Sequence, residues 1–135
     1  MPTRNPAAQT LRSASRLARK RERASDPNLA AARLDSLRRV FSSDAAIAEV
    51  LDVSRAAPGR WRQGALPDPE TETRLIALDT TVSLLATFLH PATIPKWLRG
   101  PDPFLGDRSP LELVRNGQLA EVIRAIEADR AGVFA

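Results

Sequence analysis

The chain contains no cysteine, one histidine and only 4% aromatic residues. Without cysteine there is no disulfide framework and no thiolate nucleophile, and the composition suits a reducing, cytoplasmic setting. The one histidine, His90, directly precedes Pro91 at the close of a helical pattern. That is the place of a solvent-facing stop residue rather than of a general base. No His/Cys/Asp cluster has metal-ligand spacing, no glycine-rich loop follows a strand, and no Gly-x-Ser-x-Gly elbow occurs. Glu70 and Glu72 sit together in the first turn of a helix, where the helix dipole accounts for them. A non-enzymatic protein with no cofactor and no metal is therefore expected. Long apolar runs are missing too. The longest, Leu75 to Leu89, is interrupted by Asp79, Thr80 and Thr81 and is too short to span a bilayer. The basic start is not followed by an apolar segment, so no secretory signal is read and no membrane partner is expected.

What is present is 135 residues, enough for one domain with a modest core. Arginine outnumbers lysine 18 to 2, which a GC-rich genome explains as well as any function. The distribution of charge says more. Residues 1–24 carry seven basic side chains against Glu22 alone, a net of +6, whereas the whole chain is +4. The remainder is thus slightly acidic, and the high isoelectric point belongs to the first 25 residues. That segment has almost no large apolar side chain beyond Leu11 and Leu17, so it reads as a basic, disordered tail. Its arginines would suit sequence-independent phosphate contacts, and equally a solvated extension with no partner.

Helical punctuation begins at Ser25-Asp26-Pro27, a cap followed by proline at the first helical position. A helix from there places Leu34, Leu37, Val40 and Phe41 on one face. Ser42-Ser43 ends it and caps a short helix over 44–51, with Asp44 in its first turn and Ile47, Val50 and Leu51 inward. After a tight turn at Asp52-Val53-Ser54, Ser54 is placed to cap a third helix reaching Gln63, stopped by Gly64. Helix, short helix, turn, helix is the layout of a helix-turn-helix over residues 26–66. The face of its third helix offers Arg55, Arg60, Arg62 and Gln63 to bases and phosphates of operator DNA, while Trp61 packs inward. Pro58-Gly59 opposes this. Proline beyond the first turn costs about 3 kcal/mol, so the helix must start later, kink or change register. The unit is then either a DNA reader or a packing and dimerisation scaffold.

Asp68-Pro69-Glu70 opens the longest helix, about residues 69–89, with Leu75, Leu78, Val82, Leu85 and Leu89 as its stripe and Leu84 and Phe88 beside it. A short helix at 94–98 follows, then a Pro- and Gly-rich loop. Ser109-Pro110-Leu111-Glu112 is a capping box with proline at the first position, Asn116-Gly117 stops that helix, and a last helix over 118–130 stripes Leu119, Val122, Ile123 and Ile126. No strand is credible, so the fold class is all-α with about seven helices.

The order in the last third is specific. Lys96-Trp97-Leu98, Leu105-Gly106, Arg108-Ser109-Pro110-Leu111-Glu112-Leu113, Gly117 and the apolar tip Gly132-Val133-Phe134-Ala135 follow one another as in the toxin-binding domain of the Xre/MbcA/ParS antitoxins. Residues 94–135 resemble that domain, and Arg60-Trp61 and Gly64 resemble the family's Xre-like helix-turn-helix. Asp107 departs from the pattern, since the family often carries a smaller residue before Arg108. The resemblance implies a homodimeric antitoxin, within a hetero-oligomeric complex, that inhibits an NAD-consuming RES-domain toxin encoded nearby and can repress its own operon. It implies a toxin-binding region within residues 67–135 that uses Trp97, Arg108, Ser109, Pro110, Leu111, Gly117, Gly132, Val133, Phe134 and Ala135. The tip would plug the toxin's active site with Phe134 as anchor, unless Val133 and Phe134 fold back on their own core. The competing reading is a stand-alone helix-turn-helix transcriptional regulator whose C-terminal helices only dimerise. A third is an adaptor that binds no nucleic acid.

Overall fold

The structure, a computed structural model, describes residues 26–133, with the side chains of Pro27, Asn28 and Val133 left aside. The basic tail and the tip residues Phe134 and Ala135 lie outside the described residues. Within them are seven α-helices, two short 3-10 turns and no strand. The helices are α1 (Pro27–Leu37), α2 (Asp44–Leu51), α3 (Ala57–Arg62), α4 (Pro69–Leu85), α5 (Ile94–Arg99), α6 (Pro110–Arg115) and α7 (Leu119–Val133). The 3-10 turns, Pro91–Thr93 and Pro103–Leu105, flank α5. The all-α fold class read from the sequence holds.

Local chemistry explains three of the seven helix starts. Ser43 accepts the Ala46 amide at 3.0 Å, Asp68 accepts the Thr71 amide at 2.9 Å and its hydroxyl at 2.8 Å, and Ser109 accepts the Glu112 amide at 3.2 Å. Each satisfies one of the amides that a helix start leaves without an internal acceptor. Pro69 and Pro110 occupy first-turn positions, where a missing amide proton forfeits nothing. His90 is exposed and caps the first 3-10 turn, its Nδ1 accepting the Ala92 amide at 3.1 Å.

Three boundaries differ from the sequence reading. α1 ends at Leu37, and the amides of both Val40 and Phe41 turn back to the Leu37 carbonyl, which still buries Phe41. α4 ends at Leu85, and Phe88 and Leu89 follow in a turn, half-buried against the core. The third helix starts at Ala57 rather than at Ser54. The Ser54 hydroxyl accepts only from Ala56, at 3.3 Å, while its carbonyl takes the Ala57 amide at 2.9 Å. Pro58 therefore falls in the first turn and breaks no hydrogen bond. The anticipated clash is resolved by shortening the helix to six residues.

α4 is the common wall of the fold. It packs against α1 and α2 on one side and α6 and α7 on the other. Its buried positions, Thr71, Glu72, Leu75, Ala77, Leu78, Thr81, Val82 and Leu85, cover more than one stripe. Small Ala77 and Thr81 admit a second layer of helices close to the axis. One hydrophobic cluster consequently runs from Leu34 and Leu37 through Leu75 and Leu78 to Val122 and Ile126. Burial of that contiguous apolar surface, at about 25 cal/mol per Å² removed from water, is the main favourable term holding the helices together.

Candidate protein-binding site

The region that carried the sequence resemblance forms one end of the molecule: α5, the loop 101–108, α6 and α7. Trp97, in the middle of α5, is half-buried and donates its indole N–H to Asp129 in the last third of α7. The loop is knitted around Asp102. Its amide donates to the Arg108 carbonyl at 3.1 Å, its carbonyl accepts the amides of Leu105 and Asp107, both at 2.9 Å, and its carboxylate accepts the Phe104 amide at 2.8 Å. Gly106 and Asp107 then both adopt positive φ, 67° and 64°. Glycine does so freely and aspartate at a modest cost. Arg108 seals the loop, donating to the Leu105 carbonyl at 3.1 Å and reaching Glu121 of α7 at 3.4 Å.

α6 is closed as tightly. Gly117 has φ 74°, the Gln118 amide returns to the Leu113 carbonyl at 2.9 Å, and the Gly117 amide to Val114 at 3.2 Å. This is a Schellman motif, with glycine in the left-handed position it requires. The Arg115 carbonyl at the end of α6 accepts Arg74 Nε at 3.0 Å. The Arg115 guanidinium reaches the other way, to the carbonyls of Glu49 and Val50 at the end of α2, each at 2.8 Å. Arg99 adds an ion pair to the Glu49 carboxylate at 3.0 Å. Arginines thus brace the C-terminal helices onto the N-terminal unit.

The residues named from sequence divide into two kinds. Ser109 is spent on its cap, Pro110 and Leu111 face inward, and Gly117 shapes a turn. These four build the site rather than display it. Trp97, Arg108 and Gly132 reach the surface at least in part, and Val133 is the last residue of α7. One exposed apolar residue was not named from the sequence: Phe104, 57% exposed at the tip of the second 3-10 turn. Its signal was the Asp102-Pro103 turn start, which marks a tip without saying which side chain points out.

At the other end, Arg55, Arg60 and Gln63 are exposed around α3, with Glu49 and Asp52 exposed nearby in sequence on α2 and its turn. Arg62 is different. Its guanidinium binds Asp44 through both carboxylate oxygens, at 2.8 and 3.0 Å, and Asp35 at 2.7 Å. Those hydrogen bonds, to Asp44 first and Asp35 second, hold its pKa above the ordinary arginine value. They likewise hold the Asp44 carboxyl below the usual carboxylate range, against the opposing effect of burial. Arg62 is a clamp among α1, α2 and α3, and its donors are taken up by the two carboxylates at the surface. Among the described residues no three His, Cys, Asp or Glu side chains gather where a metal ion could bind. No helix among them is long and apolar enough to cross a membrane.

No protein-family model matches the chain. The mycobacterial cidal antitoxin MbcA of Mycobacterium tuberculosis is 32% identical to it over 89 residues, covering 65% of this chain and 79% of the relative, and that of Mycobacterium bovis matches to the same extent. The chain belongs to the MbcA antitoxin family. The fold agrees with the family: a chain of the crystal structure of the M. tuberculosis MbcT–MbcA toxin–antitoxin complex superposes with a TM-score of 0.66 at 28% identity. That alignment covers 79% of this chain and 97% of the other. The resemblance to the Xre/MbcA/ParS antitoxins read from the last third of the sequence is thereby upheld for its MbcA branch.

Proposed function

We propose that the chain is an antitoxin that binds a RES-domain, NAD-consuming toxin encoded beside it and holds it inactive through the C-terminal region. The observation that carries this reading is the match to MbcA along most of that protein's length, together with the likeness to a chain of a toxin–antitoxin complex. Inhibition then requires no chemistry from the antitoxin itself. It requires a preorganised surface, and the braced loop, the capped α6 and α7 are built as one. Trp97, Arg108 and Gly132 to Ala135 form the contacting part of that surface, while Ser109, Pro110, Leu111 and Gly117 hold it in shape. The segment Val133–Ala135 enters the toxin's active site, in the cytoplasm, within an assembly containing two antitoxin copies.

The test is co-expression with the neighbouring toxin gene, comparing the full chain with a version lacking Val133–Ala135. Growth rescue and co-purification by the full chain alone support an antitoxin whose tip blocks the toxin. Rescue by both versions keeps the antitoxin and discards the plug, and no rescue with no complex refutes the reading. Exposed Arg55, Arg60 and Gln63 favour a second role in binding operator DNA. The brevity of α3 limits how many base edges it can reach, so this role leans on phosphate contacts and should weaken steeply with salt.

A further inference from the structure

Phe104 has no evident part in folding. Its neighbour Leu105 is buried and pins the turn to the core, Asp102 supplies the hydrogen bonds, and Arg108 closes the far side. None of these contacts uses the Phe104 ring. The loop nevertheless concentrates seven main-chain and side-chain hydrogen bonds, an aspartate only 8% exposed and two successive left-handed residues on seven positions. Backbone held in a sparsely populated region by its surroundings is found at functional sites more often than elsewhere. The product of all this order is an aromatic ring held out in water.

We propose that Phe104 is an aromatic anchor that seats in an apolar pocket of the toxin, beside the mouth of the active site that the C-terminal tip enters. The inference rests on the antitoxin reading above. The occupant is set by position. A cleft of about 190 Å³ is lined by Trp97, Pro101 and Pro103 on one side and Asp129 on the other, so the Phe104 loop lies against the last turns of α7. Asp129 is four residues, about 6 Å of helix, from Val133. A protein that receives the tip therefore lies within about one helical turn of this loop. Rigid display fits the role, because a ring already fixed in position loses little entropy on binding. Exposed apolar tips flanked by exposed prolines, here Pro101 and Pro103, fit a dry pocket better than a hydrated surface.

The experiment uses the full chain and the RES-domain toxin encoded beside it, with Phe104→Ala, Phe104→Leu and the Val133–Ala135 deletion side by side. Toxin affinity is read by biolayer interferometry, NAD turnover at saturating antitoxin, and the antitoxin's own oligomeric state by sedimentation. Phe104→Ala is expected to weaken toxin binding by about 30-fold or more, the effect of removing an interface hot spot. Phe104→Leu should recover part of that loss, and both should still inhibit fully at saturation. The deletion should show the opposite pattern, with inhibition lost and most affinity kept. Toxin bound by Phe104→Ala as tightly as by the wild type overturns the anchor. A change in antitoxin self-association with unchanged toxin affinity also overturns it, by assigning the ring to a second copy. A wild-type chain that binds no toxin fails the antitoxin reading itself, and the anchor with it.

Discussion

Truncating Arg115 to alanine removes two hydrogen bonds from a charged donor at once. Both run from α6 to the last turn of α2, at 2.8 Å. The Glu49 carbonyl keeps the Asp52 amide at 3.1 Å, so the loss falls chiefly on the Val50 carbonyl, in a residue 3% exposed. Hydrogen bonds to charged groups contribute about 1.5–3 kcal/mol each, and a cation at a helix C-terminus adds about 0.3–1 kcal/mol. Arg115 itself is only half-buried, so water replaces part of what is lost. The net expectation is about 2 kcal/mol of destabilisation, which for a domain of this size lowers Tm by about 7 °C. Arg115→Lys should recover no more than half, since a single ammonium cannot span two carbonyls as the guanidinium fork does. Urea and thermal unfolding of the full chain, followed by far-UV circular dichroism, measure this directly. A loss under about 0.5 kcal/mol, the range of an ordinary surface substitution, would refute the view that this arginine braces the two halves.

Two further predictions concern neighbouring contacts. Because the folded-state pKa of Asp44 is depressed, chiefly by the Arg62 hydrogen bond and further by Arg38, its stabilisation is complete above the ordinary value of 3.8 and is lost as pH falls through the lower folded value. Asp44→Asn should therefore be less stable than the wild type at pH 7, with the gap closing below pH 3.8; an equal gap at pH 7 and pH 3 would contradict the ion-pair account. Trp97→Phe keeps most of the ring and deletes the donor to Asp129. It should cost about 1–2 kcal/mol and speed amide exchange in the last turns of α7, and unchanged exchange there would show that the indole does not tether the helix.

How much of this was legible beforehand follows the range of the interactions. Caps at Ser43, Asp68 and Ser109 and the stop at Gly117 involve partners within five residues, and all were read from spacing alone. The last third could also be likened to an antitoxin family, because its residues occur in a fixed order along the chain. The candidate site was harder. Ser109, Pro110 and Leu111 were singled out as partner-binding; the Ser109 hydroxyl accepts the Glu112 amide, and Pro110 and Leu111 are buried. A residue that shapes a surface and one that touches a partner leave the same mark in a motif.

Phe104 and Leu105 are adjacent apolar residues with nothing in their types to say which one faces water. That was decided by Leu105 finding the core, a contact that exists only once α7 has packed beneath the loop, while the Asp102 carboxylate, two residues away, shapes the turn locally. The same holds for Arg62 and Arg115. In the sequence Arg62 was a candidate for DNA and Arg115 carried no reading, and only folding brought Asp35, Asp44 and the end of α2 within their reach. The chain alone determined the helix starts at Ser43, Asp68 and Ser109 and the stop at Gly117, since capping and turn chemistry are local, whereas the ends of α1 and α4 and the start of α3 were set in the fold. Which arginines serve as braces, which face of α4 is covered, and which aromatic ring is left exposed were settled by tertiary packing, because each depends on groups 18 to 66 residues away or on a whole neighbouring helix.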